Sequence, residues 1–131
     1  MPILKMLSRN SLSGLNNSLL YVTRSNAQEQ NQRGVSPPLL HNLRSDTDDF
    51  ESIIQEFKVN ETYRKITSNR VYFYHTIISI SNEDNAVTTP EMMNSIAEKY
   101  FDLRGDILGY AVVHHDENPH IHCIESATLY R

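Results

Sequence analysis

The sequence predicts an α+β domain, an antiparallel central β-sheet carrying helices on one face. Three observations predict it. Apolar residues recur at helical spacing in two stretches, Phe50, Ile53, Ile54 and Phe57, then Met93, Ile96, Ala97 and Tyr100. Runs 71–81, 107–113 and 120–127 are rich in β-branched and aromatic residues and read as strands. Turn-forming residues 115–119 separate the last two, which makes that pair a hairpin and the sheet antiparallel.

Taken in order, residues 2–7 are a short apolar run that suits a first strand. Residues 8–17, rich in Ser, Asn and Gly, read as a loop or helix entry. Leu12, Leu15, Leu19 and Leu20 then recur at helical spacing, placing Tyr21 at or near the end of a short helix. Residues 26–38 are polar, contain Pro37 and Pro38, and read as a mobile connection. Ser45, Asp46, Thr47, Asp48 and Asp49 form a helix start, since their side chains cap amides and their charges face the positive end of the dipole. That helix runs to about Phe57.

Along 71–81, Phe73, His75, Ile77 and Ser79 share one face, and Tyr72, Tyr74, Thr76, Ile78 and Ile80 share the other. Both faces are partly apolar, so this strand is expected to be central and covered on one side by helices. Residues 82–85 form a turn. Thr88 and Glu91 have capping-box spacing around Pro90, predicting a helix from about 90 to 101.

The 131 residues suit a single domain, 1–131, divided into an N-terminal segment 1–45 and a helix–strand–helix–hairpin core 46–131. A 39% hydrophobic and 21% charged composition excludes a disordered chain. No apolar run approaches the ~18 residues of a membrane span. The single cysteine, Cys123, excludes an intrachain disulfide and fits a reducing cytoplasm, the expected location. Cys123 lies on the strand face opposite the neighbouring histidines and has no assigned chemistry. The net charge of −4 argues against a nucleic-acid-binding surface over the whole molecule. Its distribution is uneven: Lys5, Arg9, Arg24, Arg33 and Arg44 against Glu29 make 1–45 net +4, leaving the rest at −8. A positive segment of this kind suits contact with phosphates, with Arg9 and Arg24 as candidates.

Four of the six histidines fall within nine residues, His114, His115, His120 and His122. Strand alternation puts His120 and His122 on one face, ~7 Å apart at Cβ, within reach of one ion. His114 ends the preceding strand and is brought alongside by the turn. It is preferred over His115 on strand parity, with His115 the alternative third ligand. Three imidazoles without a fourth protein ligand describe an open metal site, and Asp116 or Glu117 can orient a ring nitrogen behind it. Ligand softness alone favours zinc or another transition metal.

The pattern His114-x-Asp116-x-x-Pro119-His120-x-His122, preceded by Ala111-Val112-Val113 and followed by Cys123-Ile124, resembles the third motif of plasmid-mobilisation relaxases of the MobA/VirD2-like type. These belong to the HUH endonuclease group, and His120-Ile121-His122 is the matching triplet. The run from Tyr72 to Ile80, then Thr89-Pro90-Glu91, a helix and another strand, is similar to the order of a relaxase domain. Ser8-Arg9-Asn10 with Leu19-Leu20-Tyr21-Val22 resembles the segment in which relaxases carry their tyrosine nucleophile.

The resemblance implies metal-dependent cleavage of one DNA strand at an origin of transfer, serving conjugative movement of a plasmid or mobile element. It implies Mg²⁺ or Mn²⁺ at the histidines, single-stranded DNA as substrate, accessory mobilisation proteins as further partners, and no membrane. Tyr21 is the expected nucleophile, with Tyr63, beside Arg64 and Lys65, the alternative. His75 is expected to pack or to stand behind the metal ligands, and Arg64, Lys65 and Arg70 to form a solvated face or touch phosphates. The sequence ends nine residues after His122, earlier than relaxase domains do, so a truncated, non-catalytic DNA-binding fragment is an alternative expectation. An HUH replication initiator is another. Such proteins place their tyrosine on a helix after the histidines, whereas here only Tyr130 follows them.

Overall fold

The computed structural model describes residues 3–9, 11–23, 37–62, 71–80, 89–114 and 119–129. They form five strands, β1 (Ile3–Arg9), β2 (Leu39–His41), β3 (Phe73–Ser79), β4 (Gly109–His114) and β5 (His120–Ser126). Three α-helices accompany them, α1 (Leu15–Thr23), α2 (Phe50–Glu61) and α3 (Pro90–Arg104), with a 3₁₀ turn at Leu12–Gly14 leading into α1. The strands make one antiparallel sheet in the order β1-β3-β5-β4-β2, so β5 is central.

Helices cover both faces of this sheet, which corrects the one-faced arrangement expected above. Leu15, Leu19 and Val22 of α1 and Ile53 and Phe57 of α2 pack against Phe73, Tyr110, Val112 and Ile124. On the opposite face, Met93, Ala97 and Phe101 of α3 pack against Ile78, Ala111, Val113, Ile121 and Cys123. The reason lies in β4 and β5, whose residues are apolar on both faces. Each large side chain left in water would cost about 2 kcal/mol, so each face needs its own cover. Tyr72 also departs from the expected parity: it precedes the ladder and packs against the α1–α2 core.

The helix boundaries follow their caps. Asp49, the last of the acidic run, is the N-cap of α2 and accepts from the Ser52 amide, and the helix continues past Phe57 to Glu61. Thr89, not Thr88, caps α3 by accepting from the Met92 amide, with Pro90 in the first turn. That helix extends to Arg104 and stops at Gly105, whose φ of 82° few side chains tolerate. The strand β2 had no sequence signal, because three residues are too few for a period to show. Residues 82–85 and most of 26–38, expected to be a turn and a connection, lie outside the described residues.

Candidate metal centre

Register builds the site. His114 and His120 are direct partners across the β4–β5 ladder, and His122 lies opposite Val112, so all three imidazoles rise from the face that carries α1. Their ring centroids form a near-equilateral triangle, 4.7 Å for His114–His120, 4.6 Å for His114–His122 and 4.8 Å for His120–His122. One nitrogen from each lies within 4.8 Å of the others. Two nitrogens on one ion, each ~2.1 Å from it, stand ~3.0–3.4 Å apart, so the three rings would close inward by about an ångström to hold a divalent metal. His114 and His122 are buried and His120 is half-buried, which leaves one side of the triangle open.

Two neighbours orient the rings. His114 Nε2 lies 2.6 Å from the Val22 carbonyl oxygen. A carbonyl only accepts, so Nε2–H donates to it and the lone pair of the neutral ring sits on Nδ1. His75 Nε2 lies 2.8 Å from His122 Nδ1. For His122 to present its Nε2 lone pair to an ion, its Nδ1–H must donate to His75. Burial, and then the positive charge of Arg9, lower the pKa of His75 to about 4, so it is neutral and can accept. His75 is thus in the site, and its shared strand face with Phe73 and Ile77 was the signal for it. The Val22 carbonyl had no signal, since a backbone oxygen carries none.

The tertiary fold also brings Tyr21 here. Leu15, Leu19 and Val22 are the buried stripe of α1, and Tyr21, adjacent to Val22, is turned outward along the sheet. Its ring meets His122 edge-on at 5.5 Å and His75 at 6.1 Å, yet it is 63% exposed. Phenol and histidines therefore share one open edge. Arg9 of β1 is exposed two strands from β5 on the same sheet face, paired with Phe73. His41, by contrast, stacks on Phe101 at 5.0 Å and bonds the Gly105 carbonyl on the α3 side. Arg24, Tyr63, Arg64, Lys65, Arg70, His115, Asp116, Glu117 and Tyr130 lie outside the described residues.

The family model described as relaxase, MobA/VirD2-like, nuclease domain, matches residues 21–127. The chain belongs to this relaxase family. The match begins at Tyr21 and includes all three histidines and strands β2 to β5. Comparison with curated proteins gives no match. The relaxase assignment agrees with the α+β antiparallel sheet and carries the general function of the family, DNA nicking, with a divalent metal generally used. Among the described residues no helix is long and apolar enough to cross a membrane.

Proposed function

We propose that this relaxase domain, residues 1–131, nicks one strand of DNA at an origin of transfer by tyrosine transesterification, with Tyr21 as the nucleophile. The observation that carries the reading is the exposed Tyr21 ring at 5.5 Å from His122, beside a triangle of three imidazoles. His114, His120 and His122 would hold Mg²⁺ or Mn²⁺, with Asp116 and Glu117 close behind in sequence. When bound, the ion neutralises charge on the scissile phosphate and polarises it.

The chain supplies the rest. The Tyr21 oxygen attacks phosphorus as its proton passes to the water that reaches this exposed ring, and the O3′–P bond breaks. The departing oxygen takes up a proton to become a 3′-hydroxyl, while the 5′ end stays attached to Tyr21. The phosphodiester bond is thereby conserved for rejoining. Arg9 and Arg24, in the positive N-terminal segment, would bind flanking phosphates. Conjugative transfer, with accessory mobilisation proteins as partners, and action in the cytoplasm belong to the same reading.

Mass spectrometry of the chain incubated with origin-containing single strands and Mn²⁺ tests it. A covalent protein–oligonucleotide adduct is expected, and Tyr21→Phe should remove it. An unchanged adduct in Tyr21→Phe would overturn the assignment of the nucleophile. Metal binding with no adduct on any strand would favour a non-catalytic DNA-binding fragment.

A further inference from the structure

A cleft of about 570 Å³ opens where the 3₁₀ turn and α1 meet α2 and the start of β3. Its polar wall is Ser11, Ser13, Asn16 and Lys58, and its apolar wall is Leu12, Ile54 and Tyr72. Among the described residues no carboxylate lines it, so the exposed Lys58 ammonium gives it a positive character. The size falls within the range of small-ligand sites, but the mixture of one aromatic ring, one cation and several amide or hydroxyl groups is more particular. An aromatic face takes a base by stacking, a cation takes a phosphate, and an amide reads a base edge.

The two serine hydroxyls bond to each other. Ser11 caps the 3₁₀ turn, its oxygen accepting from the Ser13 amide while its own proton goes to Ser13 Oγ. Ser13 Oγ accepts there, so its own proton is available to donate. Asn16 is exposed and carries both donors and an acceptor on one amide.

Position connects the cleft to the histidines. Both lie on the α1 side of the sheet, at opposite ends of the same helix. Asn16 and Tyr21 are five residues apart in α1, about 7–8 Å of helix rise. Between the two sites runs the end of β1: the Arg9 carbonyl accepts from the Tyr72 amide, and Leu7 is the register partner of His75. Five residues also turn the helix by about 140°, so Asn16 and Tyr21 flank α1 on different sides, and a strand joining them passes the end of β1 with the Arg9 guanidinium along the way.

From this we infer that the Ser11–Asn16–Lys58–Tyr72 cleft is a nucleotide-recognition subsite for the strand cut at Tyr21, its base on Tyr72 and read by Asn16, its phosphate on Lys58. The inference rests on the nicking function proposed above. It assigns base discrimination to a place away from the metal, whose own contacts, being to phosphate, carry no sequence information.

Fluorescence anisotropy on the full chain with Mn²⁺ tests it, using the four homopolymeric single strands of about 12 nucleotides. Wild type should prefer one homopolymer several-fold over the others. Asn16→Ala should flatten that preference while metal affinity is unchanged. Lys58→Ala should weaken all four strands and lower the slope of log affinity against log salt by about 0.7, the value of one phosphate contact. Both side chains are exposed, so an unchanged melting temperature separates these effects from misfolding; Tyr72 is left alone because its backbone joins β1 to residue 127. Wild-type preference and slope in both variants would overturn the subsite, as would equal affinity of wild type for all four strands. Homopolymers bound with these variant effects, while origin-containing strands give no Tyr21 adduct, would instead overturn the nicking chemistry and leave the subsite standing. Absence of binding to any homopolymer would overturn the subsite, and absence of both binding and adduct on origin-containing strands would overturn the nicking function.

Discussion

His75 Nε2 and His122 Nδ1 lie 2.8 Å apart across adjacent strands β3 and β5. The contact fixes which nitrogen of His122 can face an ion, because a ring that donates from Nδ1 keeps its lone pair on Nε2. His75→Ala is expected to weaken Mn²⁺ binding by about 10–100-fold, the usual effect of losing a ligand's supporting partner. Titration calorimetry checks this, and an affinity equal to wild type would show that His75 only fills space.

Removing a member of the triangle should do more. His122→Ala leaves two donors and is expected to abolish measurable Mn²⁺ binding at concentrations that saturate wild type. His41→Ala makes a matched comparison, since His41 stands on the opposite face against Phe101. It should keep full metal affinity. Equal losses in both variants would mean that the cluster is not the binding site.

Glu125, fully buried on the α3 face, accepts from Thr76, from Tyr100 and from Arg104 Nε at 2.9 Å. Its contacts tie β3, β5 and α3 together, while Arg104, 35% exposed, still reaches water. Glu125→Ala strands the two hydroxyls near the core, and the cost should be about 2–3 kcal/mol. Arg104→Ala should also destabilise the fold, because it leaves a buried carboxylate without its cation. Urea denaturation measures both; a Glu125→Ala change below half a kcal/mol in magnitude (~0.5) would refute the network's role in stability.

Gly109 begins β4 with no room for a side chain. A Cβ there would meet Phe101 Cε1 at 2.5 Å, and Phe101 is itself held by its stack on His41. Gly109→Ala is expected to cost about 1–3 kcal/mol through overpacking. Pairing it with Phe101→Leu should recover part of the loss, measurable as a rise in melting temperature over the single variant. No recovery would count against the steric account.

Much of the site was legible before any fold was known. Alternation alone put His120 and His122 on one face, and parity chose His114, which the β4–β5 register does set opposite His120. The amphipathic periods located α1, α2 and α3, because each helix buries a stripe whose spacing is local. The helix ends were less legible: Asp49 and Thr89 act as caps where several neighbouring residues had equal capacity. The second helical layer escaped notice because hydrophobicity on both faces of a strand does not say which helix covers which.

The order of residues by itself determined the histidine hairpin and the helical stripes, since both depend on contacts a few residues apart. Only the tertiary structure decided that β3 lies beside β5, bringing His75 to His122, and that α1 crosses the same face, bringing Tyr21 to both. Those pairings join residues separated by 47 positions for His75 and His122 and by 92 for Val22 and His114. They form because buried strands must find ladder partners and apolar faces must find cover, and no local pattern encodes which partner that will be.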